Sequence, residues 1–170
     1  MSELGDLATQ LLRACAKRGI LAATAESCTG GMIMSTMTDI PGSSSVVDRG
    51  FVTYSNDAKM EMIGVSRQTL RDHGAVSEPT AREMALGALM HSNAGITLAV
   101  TGIAGPDGGS AEKPVGLVWF GLALAGERVV TEKRVFENRG RDFIRRETVR
   151  HALAMGIRAL SDDQAGPAVP

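Results

Sequence analysis

Two short apolar segments that each lead directly into a glycine-rich stretch constrain the fold of this chain more than any other feature. Residues 20–24 run into AESCTGG at 25–31, and residues 96–101 run into GIAGPDGG at 102–109. A helical pattern follows the first stretch, which predicts a strand, a tight turn and a helix in succession. Strands that are connected through helices pair in parallel, so this pattern indicates an α/β fold.

The other strands and helices follow from hydrophobic periodicity, turn residues and capping residues. Further strands are predicted at 46–54, 115–124 and 128–136, the last two forming a β-hairpin. Helices are predicted before Gly19, after Gly31, around Lys59, after Ser66, from 78 to about 92, and from 141 to 160. Together these elements predict a mixed sheet of about five strands with helices on both faces.

The length and composition fit one domain. A chain of 170 residues with 44% hydrophobic and 22% charged residues can bury a single core and leaves no room for a second of comparable size. We expect the domain to span residues 1–160 and residues 161–170 to form a flexible tail. The two cysteines, Cys15 and Cys28, have no disulfide or metal-site spacing, so a reducing cytoplasm is the expected compartment. No signal peptide or membrane-spanning window is present, which argues against a membrane partner.

Charge and glycine content favour a small anionic ligand. The formal net charge of -1 provides no broad basic surface, so no nucleic-acid partner is expected. Backbone amides of Thr29, Gly30 and Gly31, at the start of a predicted helix, and of Gly102 and Gly105 are candidates for binding a phosphate. The alternative is that these glycines only form tight turns. Neither stretch has a Gly-Lys-Ser/Thr or a complete dinucleotide fingerprint, which excludes typical kinases and dehydrogenases.

Several hydroxyl groups lie near the predicted strand ends and are candidates for a nucleophile or for substrate contacts. They belong to Ser27, Thr29, Ser43, Ser44, Ser45, Tyr54 and Thr101. The three histidines have no recognisable triad setting, so a lysine is the better candidate for the base. Lys59 follows a predicted strand, where burial would lower its pKa; the alternative is a solvated surface lysine. No cluster of histidines and carboxylates suggests a metal site.

Four separated motifs resemble those of a known family. They are TAESCTGG at 24–31, GFVTYSNDAK at 50–59, GAVSE at 74–78 and TGIAGPDGG at 101–109. Their order and identity resemble the CinA C-terminal domain, the nicotinamide-nucleotide amidase family, over residues 5–160. The resemblance implies a three-layer α/β/α sandwich with a mixed, mostly parallel sheet. It also implies metal-independent hydrolysis of nicotinamide mononucleotide to nicotinic acid mononucleotide and ammonia, without a cofactor, as a step of pyridine nucleotide salvage.

The resemblance also suggests roles for individual residues. It implies Ser44 as the nucleophile, Lys59 as its base and Tyr54 as a supporting hydroxyl. Ser27, Thr101 and Arg141 would contact the substrate. A straight strand at 46–54 rises about 3.3 Å per residue, however, and would hold Ser44 roughly 30 Å from Lys59.

Three arrangements would remove this conflict. The strand could bend sharply at Gly50, Ser44 could meet Lys59 of another subunit across a symmetric interface, or Ser27 could be the nucleophile. Ser44 is the first choice because the resemblance favours it, and Ser27 is the second because single-chain geometry favours it. A homo-oligomer is therefore the expected assembly. The alternative to an amidase is a non-catalytic nucleotide-binding or regulatory module, since the family also occurs fused to another domain.

Overall fold

The computed structural model describes residues 2–162 of the chain. Its strands are β1 (Ala22–Glu26), β2 (Val47–Val52), β3 (Ile96–Gly102), β4 (Leu117–Leu124) and β5 (Arg128–Val135). Its helices are α1 (Glu3–Arg18), α2 (Met32–Thr38), α3 (Asn56–Ile63), α4 (Arg67–His73), α5 (Glu78–Met90) and α6 (Arg141–Asp162), with a 3-10 turn at Ser43–Ser45. Each predicted strand and helix is present, with small shifts at its ends. Most of the predicted tail, at 163–170, lies outside the described residues.

One mixed sheet with strand order β2–β1–β3–β4–β5 forms the centre of the fold. Strand β1 pairs in parallel with both β2 and β3, whereas β3–β4 and β4–β5 are antiparallel. Four strands therefore run in one direction and β4 runs in the other. The prediction of a mixed, mostly parallel sheet is confirmed, and the antiparallel part arises from the β4–β5 hairpin.

Helices cover both faces of the sheet and bury two separate apolar clusters. Helices α1, α2 and α6 pack on one face around side chains such as Leu98 and Phe120, while α5 covers Ala99 and Ala123 on the other. Helix α5 lies so close to the sheet that a Cβ atom at Gly121 would lie 2.3 Å from the carbonyl oxygen of Ala81. The three-layer α/β/α sandwich is confirmed, and the small residues of β3 and β4 set its spacing.

The parallel strands bring three chain segments together at one edge of the sheet. Strands β1, β2 and β3 all end there, and in open α/β sheets this edge is where ligands bind. Backbone hydrogen bonds continue the pairing past the strand ends, from the Thr53 amide to the Glu26 carbonyl and from the Ser27 amide to the Val100 carbonyl. Ser27 is thereby fixed between the ends of its two neighbouring strands.

Strand β2 does not bend at Gly50. Its pairing with β1 is continuous from Arg49 to Val52, and the irregularity in the ladder lies at Asp48. A Cβ atom at Gly50 would lie 3.0 Å from Met34 of α2, so this glycine allows the helix to pack closely against the strand. The alternative of a sharp bend at Gly50, which would have brought Ser44 near Lys59 within one chain, is therefore wrong.

Candidate active site

A cavity of about 190 Å³ opens at the edge where β1, β2 and β3 end. It is lined by Ser27, Cys28, Tyr54, Lys59, Ala75, Val76, Thr101, Gly102, Ala104 and Arg141. These residues come from all four motifs or, in the case of Arg141, from the start of α6. The four motifs therefore meet around a cavity at the edge of the sheet where the sequence pattern predicted a site.

Lys59 is buried beneath this cavity, with only 1% of its surface exposed. Its Nζ atom lies 3.0 Å from Oγ of Ser27, 2.8 Å from the carbonyl oxygen of Thr53 and 3.4 Å from that of Tyr54. In the described part of the chain these three oxygens are its partners, and none belongs to a carboxylate. Burial lowers the pKa of Lys59 from 10.5 to about 8, against a smaller opposite effect of Cys28.

The local sequence explains how Lys59 reaches this position. Helix α3 begins after a link of three residues from the end of β2, and the Ser55 side chain caps it by accepting a hydrogen bond from the amide of Ala58. Lys59 then lies in the first turn of a helix that starts at the sheet edge. Because β1 and β2 are neighbours, its side chain extends to Ser27 at the end of β1. This is the arrangement that single-chain geometry favoured for Ser27.

The pair of Ser27 and Lys59 can perform nucleophilic catalysis. Ser27 is mostly buried but borders the cavity, and its hydroxyl is within hydrogen-bond reach of the amine. With a pKa of about 8, roughly a tenth of the lysine is neutral at pH 7 and can accept a proton. A serine hydroxyl next to a neutral amine is an activated nucleophile.

The turn that carries Ser27 is arranged differently from the predicted phosphate cradle. The buried Glu26 carboxylate accepts hydrogen bonds from the amides of Gly31, Ile33 and Met34 at 3.1, 3.0 and 2.8 Å. The amide of Gly30 donates to the carbonyl of Ser27. These groups at the start of α2 already have acceptors within the protein, so a substrate phosphate does not find them free.

Two arginines of α6 contact the site. Arg141 donates 2.8 Å to the carbonyl of Gly105 and 3.3 Å to the hydroxyl of Tyr54, which places its guanidinium at the cavity mouth. Arg145 donates to the carbonyls of Cys28 and Thr29 at 3.1 and 2.8 Å. The structure thus brings together Arg141 and Gly105, both of which were predicted to bind the substrate. The contact of Arg145 with the turn was not predicted, because a helical arginine with acidic neighbours has the sequence signature of a solvated face.

The third and fourth motifs meet in the cavity wall. The hydroxyl of Thr101 donates 2.7 Å to the carbonyl of Ala75, which holds the GAVSE segment across the end of β3. At Gly102 a Cβ atom would lie 2.6 Å from Val118, so the absence of a side chain is required by packing against β4. No role was predicted for Ala75 and Val76, although the GAVSE motif that contains them could have indicated that they line the site.

Tyr54 and Ser44 lie apart from the buried amine. Tyr54 is 63% exposed, and its hydroxyl meets Arg141 while only its backbone carbonyl contacts Lys59. Ser44 is exposed in the 3-10 turn that precedes β2, whereas Lys59 follows the other end of that strand. Ser44 does not line the cavity. Within one chain, the structure brings Lys59 together with Ser27 and not with Ser44.

Cys28, which follows Ser27, is buried, and burial raises the pKa of its thiol to about 12. Both Cys28 and Cys15 are free thiols. Over residues 2–162, no group of three or more histidines, cysteines and carboxylates is arranged to hold a metal ion. In the same part of the chain, no helix combines the length and apolar character that crossing a membrane requires.

Comparisons with known proteins agree with this architecture. Residues 4–160 match the sequence model of the CinA C-terminal domain. The chain is 52% identical over 152 residues to nicotinamide-nucleotide amidohydrolase PncC of Escherichia coli K12, a match that covers 89% of this chain and 92% of that protein. It is 50% identical over 160 residues to PncC of Enterobacter agglomerans, covering 93% and 97%. The crystal structure of the competence/damage inducible protein CihA of Agrobacterium tumefaciens superposes with a TM-score of 0.91 at 50% identity, covering 95% and 97%.

Proposed function

The chain belongs to the CinA C-terminal domain family, and from this premise we propose that it hydrolyses nicotinamide mononucleotide to nicotinic acid mononucleotide and ammonia through Ser27 and Lys59. The reaction follows from about 50% identity to nicotinamide-nucleotide amidohydrolases over most of the chain. The choice of residues rests on one observation, the 3.0 Å contact between the Ser27 hydroxyl and the buried Lys59 amine.

The first half of the reaction forms an acyl-enzyme. The neutral Lys59 amine takes the proton of Ser27 while the serine oxygen attacks the carboxamide carbon of the substrate. The protonated amine then gives this proton to the amide nitrogen, and the carbon–nitrogen bond breaks to release ammonia. Burial favours this cycle because it keeps the pKa of Lys59 close to the working pH.

The second half of the reaction releases the product. A water molecule enters the place that ammonia has left, donates a proton to Lys59 and attacks the ester carbon. The carbon–oxygen bond to Ser27 breaks, the serine recovers its proton from Lys59, and the carboxylic acid leaves. The amide of Cys28 would stabilise the negative oxygen in both halves, since the amides of Gly30 and Gly31 in the same turn already donate to acceptors within the protein.

The rest of the substrate would extend from the cavity toward its mouth. The cavity is small, so the pyridine carboxamide enters while the ribose and phosphate lie outward. Arg141 is the cation at this mouth, and its planar guanidinium suits a phosphate. We place the phosphate here because the amides at the start of α2 are taken up by Glu26.

A homo-oligomer is also part of the proposal. Val52 and Tyr54 are 46% and 63% exposed beside the cavity, which supports a subunit contact near the site. Such a contact is where Ser44 of another subunit would have to approach Lys59, the arrangement that remains the alternative to Ser27. A cytoplasmic location is proposed as well, with support from the two free cysteines.

The test is ammonia release from nicotinamide mononucleotide by purified protein that has been pretreated with EDTA. Lys59→Ala and Ser27→Ala are assayed beside the wild type. Turnover that survives chelation and disappears in both variants would support the Ser27–Lys59 mechanism. Absence of turnover in the wild type, together with measurable substrate binding, would favour the non-catalytic nucleotide-binding module instead.

A further inference from the structure

Glu26 is a fully buried carboxylate next to Ser27 that the proposed reaction does not use. It is the last residue of β1, and its side chain faces α2, whereas Ser27 contacts Lys59. A buried carboxylate is unfavourable unless hydrogen-bond donors surround it. Its position beside the nucleophile therefore calls for an explanation within the site.

Four donors surround this carboxylate. Its oxygens accept hydrogen bonds from the Thr29 hydroxyl at 2.6 Å and from the amides of Gly31, Ile33 and Met34 at 3.1, 3.0 and 2.8 Å. Gly31 precedes α2 and has no side chain with which to cap it. Glu26 thus caps α2 from the neighbouring strand and ties the middle and the end of the turn at 27–31 to β1.

Arg145 holds the same turn from the opposite side. Its Nε and Nη2 atoms donate to the carbonyls of Cys28 and Thr29 at 3.1 and 2.8 Å. Within this turn Glu26 therefore binds the Thr29 hydroxyl and the Gly31 amide, while Arg145 binds two carbonyls. A turn restrained through both its donors and its acceptors has little freedom to move the serine that it carries.

We propose that Glu26 and Arg145 are positioning residues that hold Ser27 at hydrogen-bond distance from Lys59 and keep the Cys28 amide oriented toward the transition state. This inference rests on the proposed function. Neither residue exchanges a proton with the substrate or with Lys59. Because a displacement of about 1 Å at a reacting group can lower the rate on the order of 100-fold, loosening this turn should lower kcat more than it changes KM.

The first experiment uses Glu26→Gln, which keeps the size of the side chain but turns one acceptor oxygen into a donor that faces other donors. We expect kcat to fall by roughly 10- to 100-fold, with KM within about twofold of wild type. The midpoint of the pH–rate profile should stay unchanged, because the surroundings of Lys59 are preserved. Thr97→Val is the matched control, since it removes another buried hydrogen bond, from Thr97 to the Ala85 carbonyl at 2.7 Å. It should lower thermal stability without lowering kcat.

The second experiment does not depend on the folding of the Glu26 variant. Arg145→Gln removes the two hydrogen bonds to the turn, while Arg146→Gln alters the adjacent residue, which pairs with Asp142 on the exposed side of α6. The first variant should lower kcat at nearly constant KM, and the second should leave both constants unchanged. The proposal would be overturned if Arg145→Gln had the same kcat as Arg146→Gln. It would also be overturned if Arg145→Gln raised KM without lowering kcat.

Labelling of Ser27 by a fluorophosphonate separates this inference from the proposed function. The labelling rate depends on the alignment of Ser27 with Lys59 and does not depend on the natural substrate. If the wild type is labelled at Ser27 but does not release ammonia from nicotinamide mononucleotide, the proposed function is wrong and slower labelling of Glu26→Gln and Arg145→Gln still supports positioning. Labelling of both variants at the wild-type rate would overturn the inference.

Discussion

The amine of Lys59 and the hydroxyl of Ser27 lie 3.0 Å apart although the two residues are 32 positions apart in the sequence. Their contact depends on the parallel pairing of β1 with β2, which ends both strands at the same edge of the sheet. It also depends on the first turn of α3, which directs the lysine back under that edge. A rigid sheet therefore fixes both members of the pair.

Ser27→Ala should abolish turnover, whereas Ser44→Ala should not. Loss of a nucleophile lowers kcat by a factor on the order of 10³ or more, and substitution of an exposed hydroxyl away from the site changes little. Steady-state ammonia release by the two variants, with folding checked by circular dichroism, makes the comparison. The reverse result would identify Ser44 as the nucleophile and would require a subunit contact, which sedimentation analysis can then detect.

The activity should rise with pH up to about 8. The base must be neutral, and the pKa of Lys59 is lowered to about 8 by burial, so kcat/KM should increase about tenfold per pH unit on the acid side and level off above pH 8. The profile is measured between pH 5.5 and 9.5, a range chosen to bracket that pKa. Lys59→Arg serves as a control because arginine stays protonated throughout and should be inactive at every pH. A profile without this acid limb would contradict the role of Lys59.

The stability of the wild type should rise relative to that of Lys59→Met as the pH increases from 8 to 10.5. Below pH 8 the lysine is protonated in both the folded and unfolded chains, and the folded state carries the full cost of burying the charge. Between the two pKa values only the unfolded chain binds the proton, so the free energy of unfolding increases with pH. The total change corresponds to roughly 3 kcal/mol. Urea titrations of both proteins at pH 7 and 10 test this prediction. If the free energy of unfolding changed equally with pH in both proteins, the lowered pKa would be contradicted.

The fold could be predicted because its signals are local. Hydrophobic periodicity, the caps at Ser55, Ser66 and Ser77 and the glycine-rich turns each depend on a few neighbouring residues. The edge of the sheet that holds the site followed from the strand directions. The proximity of Lys59 to Ser27 could be expected as soon as β1 and β2 were treated as neighbours.

The parts of the site that were not predicted depend on contacts between distant segments. The amide of Gly31 was assigned, with that of Gly30, to a phosphate because free amides attract anions, and the anion that Gly31 binds is the carboxylate of Glu26. Nothing in the local sequence distinguishes these two acceptors. Burial of Lys59 was one of two alternatives, and the local sequence could not decide between them, since Asn56 and Asp57 give α3 the polar start of a surface helix.

Cys28 should be dispensable and unreactive even though it follows Ser27, the proposed nucleophile. Burial raises the pKa of its thiol to about 12, so the reactive thiolate is scarce at neutral pH. Iodoacetamide at pH 7.5 should leave ammonia release unchanged, and Cys28→Ala should keep kcat within about threefold, with a modest loss of stability from the small cavity it leaves. Rapid inactivation of the wild type but not of Cys28→Ala would show that the thiol is accessible and needed.

Arg141 should contribute to the binding of the substrate phosphate and little to the chemical step. Its guanidinium lies at the cavity mouth beside the Tyr54 hydroxyl, away from the buried Lys59 amine. Loss of a charged hydrogen-bond pair should raise KM for nicotinamide mononucleotide by roughly 10- to 100-fold in Arg141→Ala, with kcat nearly constant. The KM of Arg141→Lys should fall between those of the wild type and Arg141→Ala, because lysine keeps the charge but lacks the planar guanidinium.

Nicotinamide riboside, which lacks the phosphate, makes this prediction specific. If Arg141 binds the phosphate, the wild type should prefer the mononucleotide to the riboside, and Arg141→Ala should abolish most of that preference while its kcat/KM for the riboside stays near the wild-type value. The preference should also weaken with increasing salt in the wild type and hardly change in the variant, since an exposed ion pair is screened. If Arg141→Ala lowered kcat/KM equally for both substrates, Arg141 would not bind the phosphate, because a contact with the phosphate cannot affect a substrate that has none.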